Sequence, residues 1–99
     1  MLLQARILMR RAARTDKNQR AIVAALRNAG CSVLSLAAIG QGCPDLLVGH
    51  RRTNTLLEIK TAKGAANEKQ RAWAQAWDGQ CSIVRTPEEA LLAVMGNDD

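Results

Sequence analysis

The chain has 99 residues, with 14 basic against nine acidic side chains and a formal net charge of +5. A single domain of this size buries only about 60–65% of the surface of its unfolded chain, so a partner subunit would help to stabilise it. The basic balance favours a polyanionic partner, with nucleic acid ahead of an anionic membrane. No apolar run approaches the ~20 residues that a membrane-spanning helix requires.

The predicted elements begin with a helix that Thr15 or Asp16 can cap and that Gly30 ends in a left-handed conformation. Its apolar residues recur at helical spacing. Residues 31–37 are then β-prone, and residues 39–42 form a loop. Two further β-prone runs, at 46–48 and 55–57, are joined by the polar stretch 50–54, which predicts a hairpin.

The second half alternates helix and strand again. Residues 62–66 are predicted as a loop and residues 67–77 as a helix that Gly79 breaks. Residues 81–84 form a further strand, and Pro87 begins the final helix. The predicted order, α-β-β-β-α-β-α, indicates an α/β fold with a mixed sheet flanked by helices.

Charge divides the chain into three segments. Residues 1–14 form a basic arm, residues 15–95 the folded domain and residues 96–99 an acidic tail. The arm is interpreted either as a contact for nucleic acid or as a partly disordered segment that aids solubility.

The three cysteines, Cys31, Cys43 and Cys81, have no C-x-x-C spacing and leave an odd count. Neither a disulfide framework nor a zinc site follows, and reduced thiols in a cytoplasmic protein are the simplest interpretation. The one histidine, His50, is predicted in the hairpin turn at the surface. A histidine-based metal cluster or a serine triad is therefore disfavoured.

The pattern with the most chemical content combines Gly42-Cys43-Pro44-Asp45 with Glu58-Ile59-Lys60. Residues two apart in a strand share a face, so Glu58 and Lys60 project to the same side. If the strands pair with Asp45 opposite Glu58, the two carboxylates share that face, with Cβ atoms about 4.5–5.5 Å apart. A slip of one residue would turn the carboxylate of Asp45 to the opposite face. The strands must therefore pair in the first register or reach the same facing through a bulge.

Two carboxylates on one face suit a shared divalent cation, which can act as a Lewis acid and activate water. A lysine beside them can orient or deprotonate that water, or stabilise a charged transition state. Phosphodiester hydrolysis requires these functions. The alternative interpretation is that Glu58 and Lys60 form a solvated strand face and that Asp45 only begins a turn.

Pro44-Asp45, a strand and Glu58-Ile59-Lys60 together resemble the signature of the PD-(D/E)XK nucleases. Over residues 16–95 the chain resembles more specifically the small stand-alone VRR-NUC (virus-type replication-repair nuclease) proteins of phages. The matching segments are, in chain order, 18–23, 42–49, 57–60, 70–73, 77–80 and 82–90. The resemblance implies a restriction-endonuclease-like core and a nuclease that depends on Mg²⁺ or Mn²⁺.

The resemblance also implies roles for particular residues. The implied metal ligands and catalytic lysine are Asp45, Glu58, the main-chain carbonyl of Ile59, and Lys60. Many relatives place a glutamate on the first helix, where this chain has Asn18 and Gln19. An amide can hold a metal-bound water but adds no charge, and on that basis Gln19 is included among the catalytic candidates.

Basic and polar side chains are predicted to contact the nucleic-acid backbone. These candidates are Arg10, Arg11, Arg14, Arg51, Arg52, Lys63, Lys69 and Gln70. Trp73 and Trp77 lie one turn apart on a predicted helix. They are expected to pack in the core or in a dimer interface, ahead of stacking on bases.

The resemblance thus implies a DNA endonuclease, encoded by a phage or its bacterial host, that acts as a homodimer on branched DNA such as a four-way junction. One alternative is a restriction-type or weakly specific nuclease acting on double-stranded DNA. Another is a catalytically weak nucleic-acid-binding module of a phage. A third is a structural phage protein that binds no metal.

Overall fold

The computed structural model describes residues 17–96. The described part of helix α1 covers residues 17–28. The elements that follow are β1 (Ser32–Ser35), β2 (Leu46–His50), β3 (Thr53–Ile59), α2 (Glu68–Ala76), β4 (Ser82–Val84) and α3 (Pro87–Met95). This is the predicted order, so the α/β class is confirmed. The predicted basic arm, the helix cap at Thr15 or Asp16 and residues 97–99 of the acidic tail lie outside the described residues.

Within residues 17–96, four strands form one sheet in the order β1-β2-β3-β4. The pairs β1–β2 and β2–β3 are antiparallel, whereas β4 pairs with β3 in parallel. The parallel pair follows from the chain between β3 and β4, because a parallel connection needs a crossover and α2 lies within it. The sheet is therefore mixed, as predicted.

One face of the sheet packs against α1 and α3 to form the core. Alternate residues of the strands point to this face, as the period of two in a strand requires. The buried apolar side chains of this cluster are Ile22, Leu26, Cys31, Leu46, Val48, Leu57, Ile59, Val84 and Ala90. The opposite face carries Glu58 and Lys60 and is covered in part by α2, which has no buried residue.

The helix ends follow the capping residues in the sequence. Gly30 has φ +92°, the left-handed conformation predicted for it. Asn67 caps α2, and its side chain accepts a hydrogen bond from the Gln70 N–H at 2.9 Å. Thr86 caps α3 in the same way, with Pro87 in the first turn.

Three predicted boundaries differ from the structure. The first strand is shorter than predicted and ends at Ser35. Helix α2 ends at Ala76, because Trp77 already has extended dihedral angles of φ −85° and ψ 115°. The hairpin turn has only two residues, Arg51 and Arg52, so His50 ends β2 and Thr53 begins β3.

Both turn residues have positive φ, 48° for Arg51 and 66° for Arg52. A two-residue hairpin with positive φ at both positions is a type I′ turn, whose twist matches that of the flanking strands. Asparagine and glycine are usual there, because other side chains are strained in the left-handed region. The tip of this hairpin is therefore strained.

No helix in residues 17–96 has the length and apolar character needed to span a bilayer. The expectation that both tryptophans pack in the core is wrong for this chain, since Trp73 is half-buried and Trp77 is 46% exposed. Packing of these residues in a dimer interface stays a prediction.

Candidate active site

Asp45 and Glu58 face each other where β2 begins and β3 ends. Leu46 with Leu57 is the last pair of the ladder, and Asp45 lies in the bend just before β2. The N–H of Asp45 donates to the carbonyl of Leu57, one residue away from the regular register, as at a β-bulge. The carboxyl of Asp45 nevertheless lies beside that of Glu58, since a hydrogen bond and the charge of Asp45 both raise the pKa of Glu58.

Main-chain hydrogen bonds hold Asp45 in place. Its N–H donates to the carbonyl of Leu57 at 3.0 Å, and its carbonyl accepts from the N–H of Leu36 at 2.8 Å. Its side-chain Oδ2 accepts a hydrogen bond from the N–H of Ile59 at 2.7 Å. The hydrogen bond from Ile59 thus fixes the carboxyl of Asp45 beside Glu58.

The main chain of Ile59 is directed to the side of Asp45. Its N–H donates to Asp45 Oδ2, and in a strand the carbonyl of a residue points to the same side as its N–H. The role of this carbonyl as a metal ligand, which the resemblance implies, stays a prediction.

Glu58 is only 7% exposed, and its burial is the largest cause of a raised pKa. The hydrogen bond to Asp45 and the negative charge of Asp45 raise the pKa further, whereas Lys60 lowers it. The net effect raises the pKa of Glu58 to about 8. At neutral pH, without a cation, Glu58 therefore keeps its proton.

Gln70 connects Lys60 to Glu58. Lys60 Nζ donates a hydrogen bond to Gln70 Oε1 and lies 4.0 Å from Glu58 Oε1. Gln70 Nε2 donates to Glu58 Oε1 at 3.2 Å. Gln70 Oε1 also accepts from the N–H of Asn67 at 3.0 Å, which completes the capping box of α2. Gln70 was predicted to contact nucleic acid, which stays a prediction; the structure places it among the groups of the site.

A close contact that depends on Gly42 holds α2 against this site. Gly42 has φ +80°, which favours glycine, and a Cβ atom at this position would collide with the main-chain carbonyl of Lys69. The loop before Asp45 therefore lies directly against the first turn of α2. This close approach places Gln70 beside Glu58, a relationship that sequence spacing alone does not reveal.

Helix α1 contributes Asn18, whose role the sequence reasoning missed. Asn18 Nδ2 donates to the carbonyl of Lys60 at 3.1 Å and to the carbonyl of Arg85 at 3.3 Å. These two hydrogen bonds link α1 to the residues that directly follow β3 and β4, and so they help to position Lys60. Gln19 lines a cavity of about 480 Å³ beside α1, with Val33 and Leu46. It is not among the residues that line the cavity at Glu58, and its catalytic role stays a prediction.

The predicted contacts for nucleic acid lie in different places. Arg51 and Arg52 lie at the other end of the hairpin from Asp45, about 20 Å away at roughly 3.3 Å per residue. Lys63 and Lys69 are exposed, near the end of β3 and in the first turn of α2 respectively. Arg10, Arg11 and Arg14 lie outside the described residues.

A scan against models of protein families, a search of curated proteins and a search of solved structures found no match to this chain. The function must therefore be inferred from the chemistry of the site.

The donor atoms fit a hard divalent cation. Two carboxyls and one main-chain carbonyl supply only oxygen, and Mg²⁺ is commonly held by one or two carboxylates while it keeps several waters. Burial and the neighbouring carboxyls raise the pKa of the thiols of Cys43 and Cys81, so in the metal-free protein both thiols are protonated at neutral pH. Within residues 17–96, no three His, Cys, Asp or Glu side chains are arranged to hold a metal ion. The fit is thus to a cation that retains open positions for water and substrate.

Proposed function

We propose that the protein is a metal-dependent endonuclease that hydrolyses phosphodiester bonds in DNA, using Mg²⁺ or Mn²⁺. The observation that carries the proposal is that the carboxyls of Asp45 and Glu58 lie side by side, with the Lys60 amine 4.0 Å from Glu58. This arrangement supports the role that the PD-(D/E)XK resemblance implies for Asp45, Glu58 and Lys60.

The raised pKa of Glu58 supports a cation in this position. Two neighbouring carboxylates repel each other when both are ionised, and a positive charge between them relieves that repulsion. A bound divalent cation supplies Lewis-acid polarisation of a phosphate oxygen and a water of lowered pKa. Asp45 and Glu58 would hold it, and the carbonyl of Ile59 lies on the side where it can join them.

Lys60 supplies a positive charge beside the carboxyls. Its Nζ is held by Gln70, and its main-chain carbonyl is held by Asn18. A lysine fixed at both ends can orient a water towards phosphorus or stabilise the negative charge that develops on the phosphate oxygens. Gln70 and Asn18 are positioning residues in this proposal, because they act through Lys60 and Glu58.

The substrate and assembly belong to the same proposal. The net charge of +5 supports a polyanionic substrate. One chain provides one site, so cutting two strands of a junction in one complex requires two copies, which a twofold axis would relate. Branched DNA, such as a four-way junction, is the substrate that the resemblance implies, and we propose a homodimer acting on it.

One observation favours a second candidate, a nucleic-acid-binding module with weak catalysis. Among the described residues the site has two carboxyls, and the α1 residue nearest to it, Asn18, has its amide nitrogen bonded to main-chain carbonyls. A lower negative charge would weaken metal binding. This candidate predicts junction binding without turnover.

The test uses a labelled four-way junction with Mn²⁺. We expect the natural chain to cleave it, whereas Asp45→Asn and Glu58→Gln bind it with unchanged affinity and do not cleave. Glu88→Gln is the matched control, since Glu88 is an exposed carboxyl on α3 and should leave cleavage unchanged. Binding without cleavage by the natural chain, at every Mn²⁺ concentration, would establish the binding module instead.

A further inference from the structure

A second cavity, of about 290 Å³, lies between α2 and β4 and opens beside Glu58. Trp73, Ala74 and Trp77 form its helix side, and Cys81 and Ile83 form its strand side. Glu58 and Gln70 also line it. The cavity is therefore a mostly apolar slot that reaches the candidate active site.

The indole rings form a fixed aromatic wall. The rings of Trp73 and Trp77 are stacked, with centroids 4.9 Å apart and planes inclined by 18°. Trp77 Nε1 donates to the carbonyl of Gln80 at 3.0 Å, which sets the orientation of its ring. Gly79 allows the chain to pass close by, since a Cβ there would lie 2.8 Å from the same nitrogen. Although it is held in this way, Trp77 is 46% exposed.

We infer that this cavity binds an unpaired base of the nucleic acid whose phosphate occupies the candidate active site. The inference rests on the proposed nuclease function and specifies its substrate: a strand with at least one nucleotide outside the duplex stack. A base inside a duplex is paired and stacked on both faces, so it cannot enter a slot in the protein without leaving the helix.

The size and chemistry of the cavity support a base. Its volume lies just below the usual lower limit of about 300 Å³ for small-molecule pockets, which suits one ring system. Aromatic side chains stack on any base, because every base has a π face. The amide of Gln70 and the carboxyl of Glu58 are the hydrogen-bonding groups at one end of the slot, where they can contact the polar edge of a ring.

Position and charge favour a nucleotide over a second copy of this chain. The cavity shares Glu58 with the candidate metal site, so a base bound here is joined to a phosphate near that site. Arg71 also lines the cavity, with Nη1 donating to the carbonyl of Ala66 at 2.7 Å. A charged rim complements a phosphate, whereas the centre of a protein–protein interface is depleted of charge.

Intrinsic fluorescence provides a direct readout. Trp73 and Trp77 are the two tryptophans of the chain, which has no tyrosine, so all of its intrinsic emission reports on this wall. Three fluorescein-labelled hairpin oligonucleotides serve as probes: one with a single unpaired adenine, one fully paired, and one with an abasic site in place of that adenine. Binding is measured in EDTA, where no cleavage takes place, by anisotropy of the label and by tryptophan emission.

We expect saturable quenching with the unpaired adenine and none with the other two probes. Ala74→Leu fills the cavity and should lower affinity for the unpaired adenine roughly tenfold, to that of the abasic probe. Ala76→Leu is the matched control, since Ala76 is exposed on the same helix and does not line the cavity. It should leave the affinity for all three probes unchanged.

The outcomes separate this inference from the function on which it rests. If the abasic probe quenches the tryptophan emission as strongly as the unpaired adenine does, or if bound probes do not quench it, the cavity does not bind a base. Either result leaves the proposed nuclease intact. Absence of binding by all three probes also overturns the base cavity, whereas the proposed nuclease stands or falls with junction cleavage in Mn²⁺. Self-association that Ala74→Leu abolishes, with base affinity unchanged, would assign the cavity to a second copy and overturn the inference.

Discussion

Gln70 Nε2 donates a hydrogen bond to Glu58 Oε1 at 3.2 Å, although the two residues belong to a helix and a strand on either side of a loop. The oxygen of the same amide, Gln70 Oε1, accepts a hydrogen bond from Lys60 Nζ. One side chain thus sets the separation between the proposed metal ligand and the proposed catalytic amine.

Gln70→Ala should therefore slow cleavage while metal binding persists. We expect kcat to fall roughly 10–100-fold, the usual effect of removing a group that orients a metal ligand, with KM nearly unchanged. The pH dependence of kcat should also shift, because the loss of Gln70 alters the surroundings of both Glu58 and Lys60. Cleavage kinetics across pH, together with Mn²⁺ titration of thermal stability, provide the measurement.

Asn67→Ala is the control for this change. It removes the side-chain cap of α2 at a cost of about 1 kcal/mol but leaves the bonds from Gln70 to Lys60 and Glu58 in place. If Asn67→Ala lowers kcat as much as Gln70→Ala, the effect comes from the stability of the helix and not from the position of Lys60.

The raised pKa of Glu58 predicts that the metal-free protein loses stability as pH rises. In the unfolded chain Glu58 releases its proton near pH 4.5, whereas in the folded protein it keeps that proton up to about pH 8. Between these values the folded state binds more protons than the unfolded state, so the free energy of unfolding decreases with increasing pH. Denaturation by urea in EDTA at several pH values measures this slope.

Two changes should remove that slope. Glu58→Gln cannot ionise, so its stability should stay constant from pH 5 to pH 8 apart from the small effects of other groups. Mn²⁺ would take the place of the proton on Glu58, so it should raise the melting temperature of the natural chain most at pH 8. A natural chain equally stable at pH 5 and pH 8 in EDTA would contradict the raised pKa of Glu58.

Gly42→Ala should destabilise the fold by about 2–4 kcal/mol. Positive φ costs an alanine about 1–2 kcal/mol, and the new methyl group would collide with the carbonyl of Lys69. Gly30→Ala is a close control, because Gly30 also has positive φ, +92°, but a Cβ there meets nothing within 4 Å. The difference between the two variants in urea denaturation measures the contact between the Gly42 loop and α2. Equal losses would show that this contact adds nothing.

Much of the fold could be predicted because local signals agree with each other. Gly30, Asn67 and Thr86 occupy the helix ends where their conformational preferences place them. The hairpin register follows from burial, since a slip of one residue would move Leu46 and Leu57 out of the core. The position of Asp45 does not follow from this register alone, because Asp45 lies in the bend before β2 and its N–H bonds to the carbonyl of Leu57.

The remaining features of the site depend on how elements pack, which local patterns do not encode. Gln70 reaches Glu58 because the Gly42 loop holds α2 against the sheet, and Asn18 reaches Lys60 because α1 lies beside the ends of two strands. The two-residue turn was also missed, because arginine is a poor match for a type I′ turn and the polar stretch appeared longer. Sequence reasoning identified the acids and the lysine, but it could not identify the side chains that position them.

The strained turn predicts opposite effects on stability and on binding. Replacing Arg51 and Arg52 by Asn-Gly, the preferred pair for this turn, should increase the free energy of unfolding by about 1–2 kcal/mol. If the arginines contact phosphates, as predicted, the same change should lower junction affinity. It should also make the slope of log affinity against log salt concentration shallower by up to about two, one for each lost phosphate contact. The turn lies about 20 Å from Asp45, so kcat for bound substrate should not change.

Urea denaturation measures the effect on stability, and binding at several salt concentrations measures the effect on affinity. The control is the double variant Arg51→Lys with Arg52→Lys, since it keeps both charges and the strain. An unchanged salt dependence in the Asn-Gly variant would show that the hairpin tip does not contact the nucleic acid.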